Sequence, residues 1–352
     1  AALSTVLKYI CPQNQFNLKI RVFSDPGYHT KANTTVKASA NHKREFLYHA
    51  NTIENVAKTG LGSSAGLVSA LTGALMAYFK PQKTLQEIRD QIHNTAQIAH
   101  CLAQKKVGSG FDVAAAIYGS IEYQRFSPQM LDGLFSSEFL SPTSSSEPLQ
   151  KLIESDWEFR AKPIALPPKL RLLMGDIKGG SNTPNLVSKV LNWRKNDPEN
   201  SSRLYHELNA ANMLLIKALE NISAYFESDS NGYLRSLKSA DVTKAEHFTD
   251  LTTSILAIRS QLQKLTKLSG ADVEPESQTE ILDACSSLDG VFGGVVPGAG
   301  GFDAVCLVVA EDFVDSVIKN KHEALQLVSW LYLKEEAQGI VEEEAIDYEG
   351  LI

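Results

Sequence analysis

The stretch KTGLGSSAGLVSALTGAL, Lys58–Leu75, joins a lysine and a glycine-serine turn to an apolar helical pattern. The apolar spacing from Ser64 to Phe79 predicts a helix that ends before Pro81. A helix N-terminus offers free backbone N–H groups and a dipole that favours anions, and glycine allows a phosphate to approach closely. The stretch is therefore either a phosphate-binding helix N-terminus or a serine-capped helix whose glycines only fit a turn.

Two familiar nucleotide-binding patterns do not fit this stretch. A Walker A loop would need a lysine after the second glycine, and a dinucleotide-binding fingerprint would need a third glycine at the right spacing. Both patterns are excluded. The stretch by itself leaves open the choice between a phosphate cradle and a capped helix.

The composition is that of a globular protein with more than one domain. The chain has 352 residues, 43% hydrophobic and 21% charged, with a formal net charge of -7. Two domains are the default at this length, and the acidic balance disfavours nonspecific nucleic-acid binding. We therefore expect no nucleic-acid or membrane partner, and leave monomer or dimer open. The four cysteines form no CxxC pair, which predicts free thiols and a cytoplasmic protein.

Strands and helices follow one another without a regular βαβ alternation. Alternating apolar residues predict a strand over 16–22, Thr84 and Glu87 form a capping box, and a strand-like run begins at Leu170. Helical patterns cover roughly 182–196, 202–226 and 246–268. A strand, a glycine turn and another strand follow near residues 290–310. The pattern favours an α+β fold.

Three segments together resemble the motifs of the GHMP small-molecule kinases. They are GLGSSAGL in the opening stretch, KVGSGFDVAAAIYGS at 106–120 and GVVPGAGGFDAV at 294–305. Their order and spacing agree with that family. Within it the chain is most similar to the fungal-type phosphomevalonate kinases, through AQIAHCLAQKKVGSGFDVAAAIYGSI and LLMGDIKGGS as well. The resemblance runs from about Phe16 to the end of the chain.

The resemblance implies a two-domain GHMP kinase fold. We expect a ribosomal protein S5-like N-terminal domain over residues 1–165, which binds ATP, and a ferredoxin-like C-terminal domain over 166–352. The implied reaction is ATP-dependent phosphorylation of 5-phosphomevalonate to 5-diphosphomevalonate, in the mevalonate pathway to isoprenoids and sterols. Two alternatives remain: another GHMP kinase acting on an alcohol such as mevalonate or homoserine, and a non-catalytic ligand sensor.

The resemblance also implies roles for individual residues. Asp112 is the expected catalytic aspartate, with an N-cap role as the alternative. Because two anions must meet in this reaction, the lysine before the glycine loop, Lys58, is expected to grip the acceptor phosphate, with a solvated surface charge as the alternative. Ser64 is expected to bind Mg²⁺. The ATP phosphates are expected on Gly60, Leu61, Gly62, Ser63, Ser64 and Ala65. Further substrate contacts are expected from Ser109, Lys178, Ser181 and Gly300, with Gly298 and Gly301 near the site and Lys105 and Lys106 as weaker candidates.

Two features depart from the family pattern. Many alcohol kinases of the family have a glutamate that binds Mg²⁺ shortly before the aspartate, whereas this chain has His100 and Cys101 there. We interpret His100 as a helix-packing residue. The family's first motif, a PGK turn near the start, is also missing from these residues. We therefore expect either that they are a truncated or gapped version of a longer chain or that the protein is impaired.

Overall fold

The structure is a computed structural model that describes most of the chain. The described residues are 1–24, 34–50, 52, 55, 62–136, 139, 141, 144–177, 183–239, 241–331 and 335–351. They form two compact units, one of Ala1–Ile164 with Glu336–Ile352 and one of Ala165–Glu335. In the described parts no helix is long and apolar enough to cross a membrane.

The first unit is built on helices around one apolar core. Its helices are α1 (Ala2–Ile10), α2 (Ser63–Phe79), α3 (Arg89–Gln104), α4 (Phe111–Tyr118) and α5 (Glu147–Glu154). Two antiparallel strand pairs accompany them: β1 (Thr34–Ala38) with β2 (Glu45–His49), and β3 (Ile121–Gln124) with β4 (Arg160–Pro163). Helix α3 is central, because every residue from Ile92 to Cys101 is buried. A helix buried on all sides fixes the helices packed against it.

The second unit is a four-stranded antiparallel sheet covered by helices. Its strands are β5 (Leu170–Ile177), β6 (Val291–Val295), β7 (Ala304–Ala310) and β8 (Val328–Leu331), in the order β6-β7-β5-β8. Between β5 and β6 lie α6 (Thr183–Asn196), α7 (Pro198–Ser228), α8 (Ser230–Leu237), α9 (Glu246–Ser269) and α10 (Glu276–Ser286), and α11 (Val314–Ile318) precedes β8. This β-α-β-β-α-β arrangement is the expected ferredoxin-like one.

Most of the predicted elements are present. The three long helical patterns correspond to α6, α7 and α9, and the predicted helix that ends before Pro81 is α2. The capping box is also formed, since Thr84 Oγ1 accepts from the Glu87 N–H at 3.3 Å while Glu87 Oε2 accepts from the Thr84 N–H at 2.8 Å.

The predicted strand over 16–22 is wrong. In the described residues 11–24 the chain has no regular secondary structure, and Ile20 and Val22 are exposed. Phe16 instead packs edge-on against Phe79, with ring centroids 5.1 Å apart. Alternation gives a segment two different faces, but a strand also needs a hydrogen-bonded neighbour, which the pattern does not supply.

The C-terminal boundary also differs from the expectation. The expected C-terminal domain ran to residue 352, whereas Glu336–Ile352 groups with the first unit. The Ile340 N–H donates to the carbonyl of Ile117 at the end of α4, at 3.1 Å. The Ile340 side chain also lies directly over Gly73 of α2, where an added Cβ would force the end of that side chain to shift. This returning segment, residues 336–351, therefore packs on both α2 and α4.

Candidate active site

Helix α2 begins with an open glycine. Gly62 is its N-cap, with a left-handed φ of 74°, and a Cβ there would meet nothing within 4 Å. No side-chain hydrogen bond caps the helix, so the serine-capped alternative is wrong. Ser63 and Ser64 are instead the first two helical residues, where backbone N–H groups have no intrahelical partner. This end of α2 has the geometry of an anion-binding helix N-terminus.

Several predicted site residues cannot be located. Lys58, Gly60, Leu61, Lys178 and Ser181 lie outside the described residues. Their expected roles stay predictions. Of the ATP-binding stretch, the described part is Gly62, Ser63, Ser64 and the buried Ala65.

Asp112 lies in the first turn of α4. The helix begins at Phe111 and its N-cap is Gly110, with φ of 85°, so the alternative role of Asp112 as the N-cap is wrong. Asp112 Oδ1 accepts from the N–H of Val113 at 2.9 Å, and its side chain remains 29% exposed. A carboxylate at a helix N-terminus is stabilised by the helix dipole. It is thus held in place while one oxygen stays accessible to a ligand.

The turn before Asp112 is fixed by β3. Tyr123 Oη donates to the carbonyl of Ser109 at 3.2 Å, and Arg125 Nη2 donates to the carbonyl of Gly108 at 2.6 Å. Burial raises the pKa of Tyr123 to about 12, so its hydroxyl keeps the proton that it donates. The Ser109 side chain is exposed, so its hydroxyl is accessible to a ligand.

His100 connects these two helix ends. Its Nε2 lies 3.3 Å from Ser64 Oγ and 2.8 Å from Gln104 Nε2, and its Nδ1 lies 3.9 Å from Asp112 Oδ2. Burial lowers the pKa of His100, and the nearby Asp112 carboxylate offsets that shift only in part. The imidazole is therefore neutral near pH 7. His100 is buried in α3, as its interpretation as a packing residue predicts, and it also makes these polar contacts, which that interpretation did not include.

The third motif forms the turn between β6 and β7. Gly298 and Gly300 have φ of 67° and 82°, and Gly301 donates its N–H to the carbonyl of Val273 at 3.0 Å. A Cβ on Gly300 would overlap the carbonyl oxygen of Val273 and lie 2.6 Å from its Cα. Gly300 is thus required for a close approach between two backbone segments.

A buried ion pair between Glu274 and Arg259 supports the close approach of Gly300 to Val273. Glu274 is 0% exposed, and its Oε1 accepts from Arg259 Nη2 at 2.7 Å and from Gln263 Nε2 at 2.9 Å. Arg259 is 5% exposed and also reaches Asp283, 2.8 Å away. Because Glu274 directly follows Val273, this network holds the segment on which Gly301 docks.

The remaining candidates are surface residues. Lys105 ends α3 with a left-handed φ of 55°, Lys106 follows it, and both are exposed. Among the described residues, no group of three or more His, Cys, Asp or Glu side chains could hold a metal ion.

Comparison with known proteins agrees with these motifs. Residues 32–120 match the family model for the GHMP kinases N terminal domain. The chain is 45% identical to the phosphomevalonate kinase of Candida albicans, over 100% of this chain and 80% of that protein. It is 34% identical to a phosphomevalonate kinase of Gibberella zeae, over 95% of this chain and 72% of the relative.

Solved structures share the fold. The Lin0012 protein from Listeria innocua aligns with a TM-score of 0.55 at 20% identity, over 82% of this chain and 70% of its own. The phosphomevalonate kinase of Streptococcus pneumoniae aligns with a TM-score of 0.53 at 18% identity, over 79% and 70%. Likeness at this identity supports the GHMP kinase fold, and the identities to the fungal proteins decide the family. The chain belongs to the phosphomevalonate kinase family of the GHMP kinases.

Proposed function

We propose that this chain transfers the terminal phosphoryl group of ATP to the phosphate of 5-phosphomevalonate, releasing ADP and 5-diphosphomevalonate for isoprenoid and sterol synthesis. The substrate follows from the names of the fungal relatives. The observation that carries a catalytic role is the pairing of an open helix N-terminus with a held carboxylate through His100. Phosphoryl transfer needs such a cradle and a positioned acidic group.

ATP would bind at the N-terminus of α2. The left-handed Gly62 leaves open space where a side chain would stand, and the first-turn amides of Ser63 and Ser64 can donate to phosphate oxygens. Ala65 is buried beneath them and keeps the turn uncluttered. Gly60 and Leu61 would continue this cradle.

Mg²⁺ would be held by Ser64 together with the nucleotide phosphates. The hydroxyl of Ser64 and the carboxylate of Asp112 are hard oxygen donors, which is the ligand chemistry that Mg²⁺ prefers, and the Ser64 side chain is exposed. The donor set thus fits the ion. When bound, Mg²⁺ would neutralise charge that develops on the transferred phosphoryl group.

The acceptor determines what the protein must supply. A phosphomonoester has a second pKa near 6, so its oxygen is already nucleophilic at pH 7 and needs little deprotonation. The main barrier is the approach of two anions, which cations and positioned donors offset. We assign Lys58 and Lys178 to charge neutralisation, Ser109, Ser181 and Gly300 to substrate contacts, and Asp112 to alignment of the acceptor.

An assay with two acceptors tests the reaction. ADP release is measured with 5-phosphomevalonate and with mevalonate, and we expect turnover with the first and at least about 100-fold less with the second. Lys58→Ala should raise KM for 5-phosphomevalonate far more than KM for ATP. Asp112→Asn should lower kcat by about 100-fold or more while leaving ADP affinity within about twofold. Turnover of mevalonate in preference, or none with either acceptor, contradicts the proposal.

The cellular location can also be proposed. All four cysteines are free thiols, and Cys101 and Cys285 are buried. Free thiols are typical of a reducing compartment, which supports a cytoplasmic protein.

A further inference from the structure

The side chain of Arg125 is held against the turn that leads into Asp112. Its Nη2 donates to the carbonyl of Gly108 at 2.6 Å, and its guanidinium carbon lies 5.6 Å from the centre of the Phe126 ring. Phe126 is 1% exposed and therefore fixed, whereas Arg125 itself is exposed. A long surface side chain usually keeps its rotamer freedom. Here a charge-assisted hydrogen bond and a cation–π contact hold the cation at one place on the surface.

The turn and Arg125 border the same group of side chains. Gly110 has φ of 85°, and a Cβ there would lie 2.9 Å from Tyr123 Oη and 3.0 Å from Phe126 Cε1. The raised pKa of Tyr123 is caused mainly by burial, while the Arg125 cation opposes the shift and the Asp112 carboxylate adds to it. Both charges therefore act on one hydroxyl, which places Arg125 and Asp112 on two sides of this turn.

The charge of Arg125 has no carboxylate partner in the described part of the chain. Its hydrogen bond there goes to the Gly108 carbonyl, which is neutral. On the adjoining strand β4, by contrast, Arg160 lies 3.4 Å from Glu122 and donates to Gln124 at 2.8 Å. A guanidinium has five N–H donors in a planar fork. Arg125 thus keeps donors and a full positive charge for a ligand.

The proposed acceptor carries two acidic groups. 5-Phosphomevalonate has a phosphate at one end and a carboxylate at the other, and a guanidinium can donate two parallel hydrogen bonds to either of them. The chain has a formal net charge of -7, so it attracts an anion only where a local cation outweighs that charge. A fixed cation beside Asp112 is such a place.

We propose that Arg125 binds an acidic group of the acceptor, its phosphate or its carboxylate, and so holds the acceptor beside Asp112. The inference rests on the proposed phosphorylation of 5-phosphomevalonate. The Gly108 carbonyl sets the direction of the guanidinium, and the remaining N–H groups donate to oxygens of the acceptor. Arg125 is then a substrate-binding residue that belongs to none of the three motifs.

Calorimetric titration of the full chain with 5-phosphomevalonate, without nucleotide, measures this contact independently of turnover. Arg125→Gln should weaken binding about 10- to 100-fold, the usual contribution of hydrogen bonds between charged groups. Affinity for ADP should stay within about twofold. Arg160→Gln is the matched control, because this exposed arginine is already paired with Glu122, and it should bind 5-phosphomevalonate within about twofold of the natural chain. Unchanged binding in Arg125→Gln, or an equal loss in both variants, overturns the inference.

Isopentyl phosphate identifies which acidic group is bound, because it keeps the phosphate and lacks the carboxylate. If Arg125 binds the phosphate, Arg125→Gln should weaken isopentyl phosphate about as much as 5-phosphomevalonate. If Arg125 binds the carboxylate, the natural chain should already bind isopentyl phosphate more weakly than 5-phosphomevalonate, and the substitution should change that affinity less than about twofold. Either result supports the inference.

Folding and turnover complete the test. Because Arg125 is exposed, Arg125→Gln should keep the melting temperature within about 2 °C. If that variant does not fold, Arg125→Lys decides: an ammonium cannot replace the paired donors of the fork, so affinity must fall at least about fivefold, and an unchanged affinity overturns the inference. A natural chain that binds 5-phosphomevalonate but releases no ADP from ATP refutes the proposed reaction, while the titrations still decide the role of Arg125. Absence of binding in the natural chain refutes both.

Discussion

The first and third glycine motifs are built in opposite ways. At the start of α2, Gly62 faces open space and the neighbouring hydroxyl contacts a neutral imidazole. In the turn between β6 and β7, Gly300 is pressed against the backbone of Val273, and the next residue, Glu274, is a fully buried carboxylate paired with Arg259. The first glycine leaves room for a ligand, and the second leaves room for another part of the chain.

Glycines in these two motifs therefore have two different physical functions. An open glycine at a helix N-terminus exposes amides to an anion. A crowded glycine lets two segments dock and so fixes the shape of a turn. Beside the first motif lies the neutral imidazole of His100. The third motif instead depends on Glu274 and Arg259, whose charges are stable in the interior only as a pair.

Arg259→Met should have the largest effect on stability. It leaves Glu274 buried without its cation, so we expect the free energy of unfolding to fall by about 3–5 kcal/mol. Urea unfolding measures this loss. The double variant R259M/E274L should recover most of it, because an apolar pair tolerates burial. Lys264→Met on the same helix, which removes the exposed pair with Glu207 at 3.5 Å, should cost less than about 1 kcal/mol. Equal losses in the two single variants would show that burial does not matter here.

Gly300→Ala tests the crowded glycine. The new Cβ would overlap Val273 at a φ of 82°, so we expect a loss of about 3 kcal/mol in unfolding free energy and a raised KM for 5-phosphomevalonate. Gly298→Ala is the matched control, since its φ of 67° is similar but a Cβ meets nothing within 4 Å. That control should lose only about 1 kcal/mol. A similar loss in both variants would contradict the close approach.

His93 lies on α3, the helix that carries His100, and tests whether this part of the first unit is sensitive to acid. Burial lowers the pKa of His93 from 6.5 to about 4, so the folded state excludes a proton that the unfolded state binds below pH 6.5. Stability is therefore present at pH 7 and falls as the pH decreases toward 4, by about 2 kcal/mol at pH 5.

The matching variant isolates this contribution. His93→Phe keeps an aromatic ring against Phe159 but cannot titrate. Urea unfolding at pH 7 and pH 5 should show a pH-dependent loss about 2 kcal/mol smaller in His93→Phe than in the natural chain. If both proteins lose the same amount, His93 does not carry the acid sensitivity.

Gly62→Ala should have the smallest effect on stability. Its φ of 74° is strained for alanine, which costs about 1 kcal/mol, but the open space around it adds no clash. We expect the effect to appear in ATP binding, as a several-fold rise in KM for ATP at little cost in melting temperature. A loss of unfolding free energy as large as that of Gly300→Ala would show that Gly62 is as crowded as Gly300, contrary to the structure.

The helices and the strands of the second unit were predictable because the apolar residues of each segment are the ones that it buries. The segment Leu170–Ile177 is apolar enough to be the central strand it becomes, and α2 ends where Pro81 predicts. The strand expected over 16–22 was not formed, because pairing depends on a distant segment that local alternation cannot identify. The returning segment was missed for the same reason, since its contact with Gly73 joins residues far apart in the sequence.

Individual site residues were predictable only where a motif marks them. Asp112 and the serines of α2 were found by their motifs, and the structure adds that Gly110, not Asp112, is the N-cap. His100 carries no motif of its own, and its contacts with Ser64 and Asp112 form only because α2, α3 and α4 meet at this ring. The support of Gly300 by Glu274 and Arg259 was equally invisible, because a charged residue in a sequence gives no sign that it will be buried with a partner.

The returning segment has a consequence for how the protein is made. Residues 336–351 pack on α2 and α4, so helices that precede Ala165 in the chain are covered by residues that follow Glu335. Ala165–Glu335 must therefore leave the ribosome first, and at about 5–20 residues per second this takes roughly 10–30 s. During that interval Gly73 and the end of α4 lack their cover.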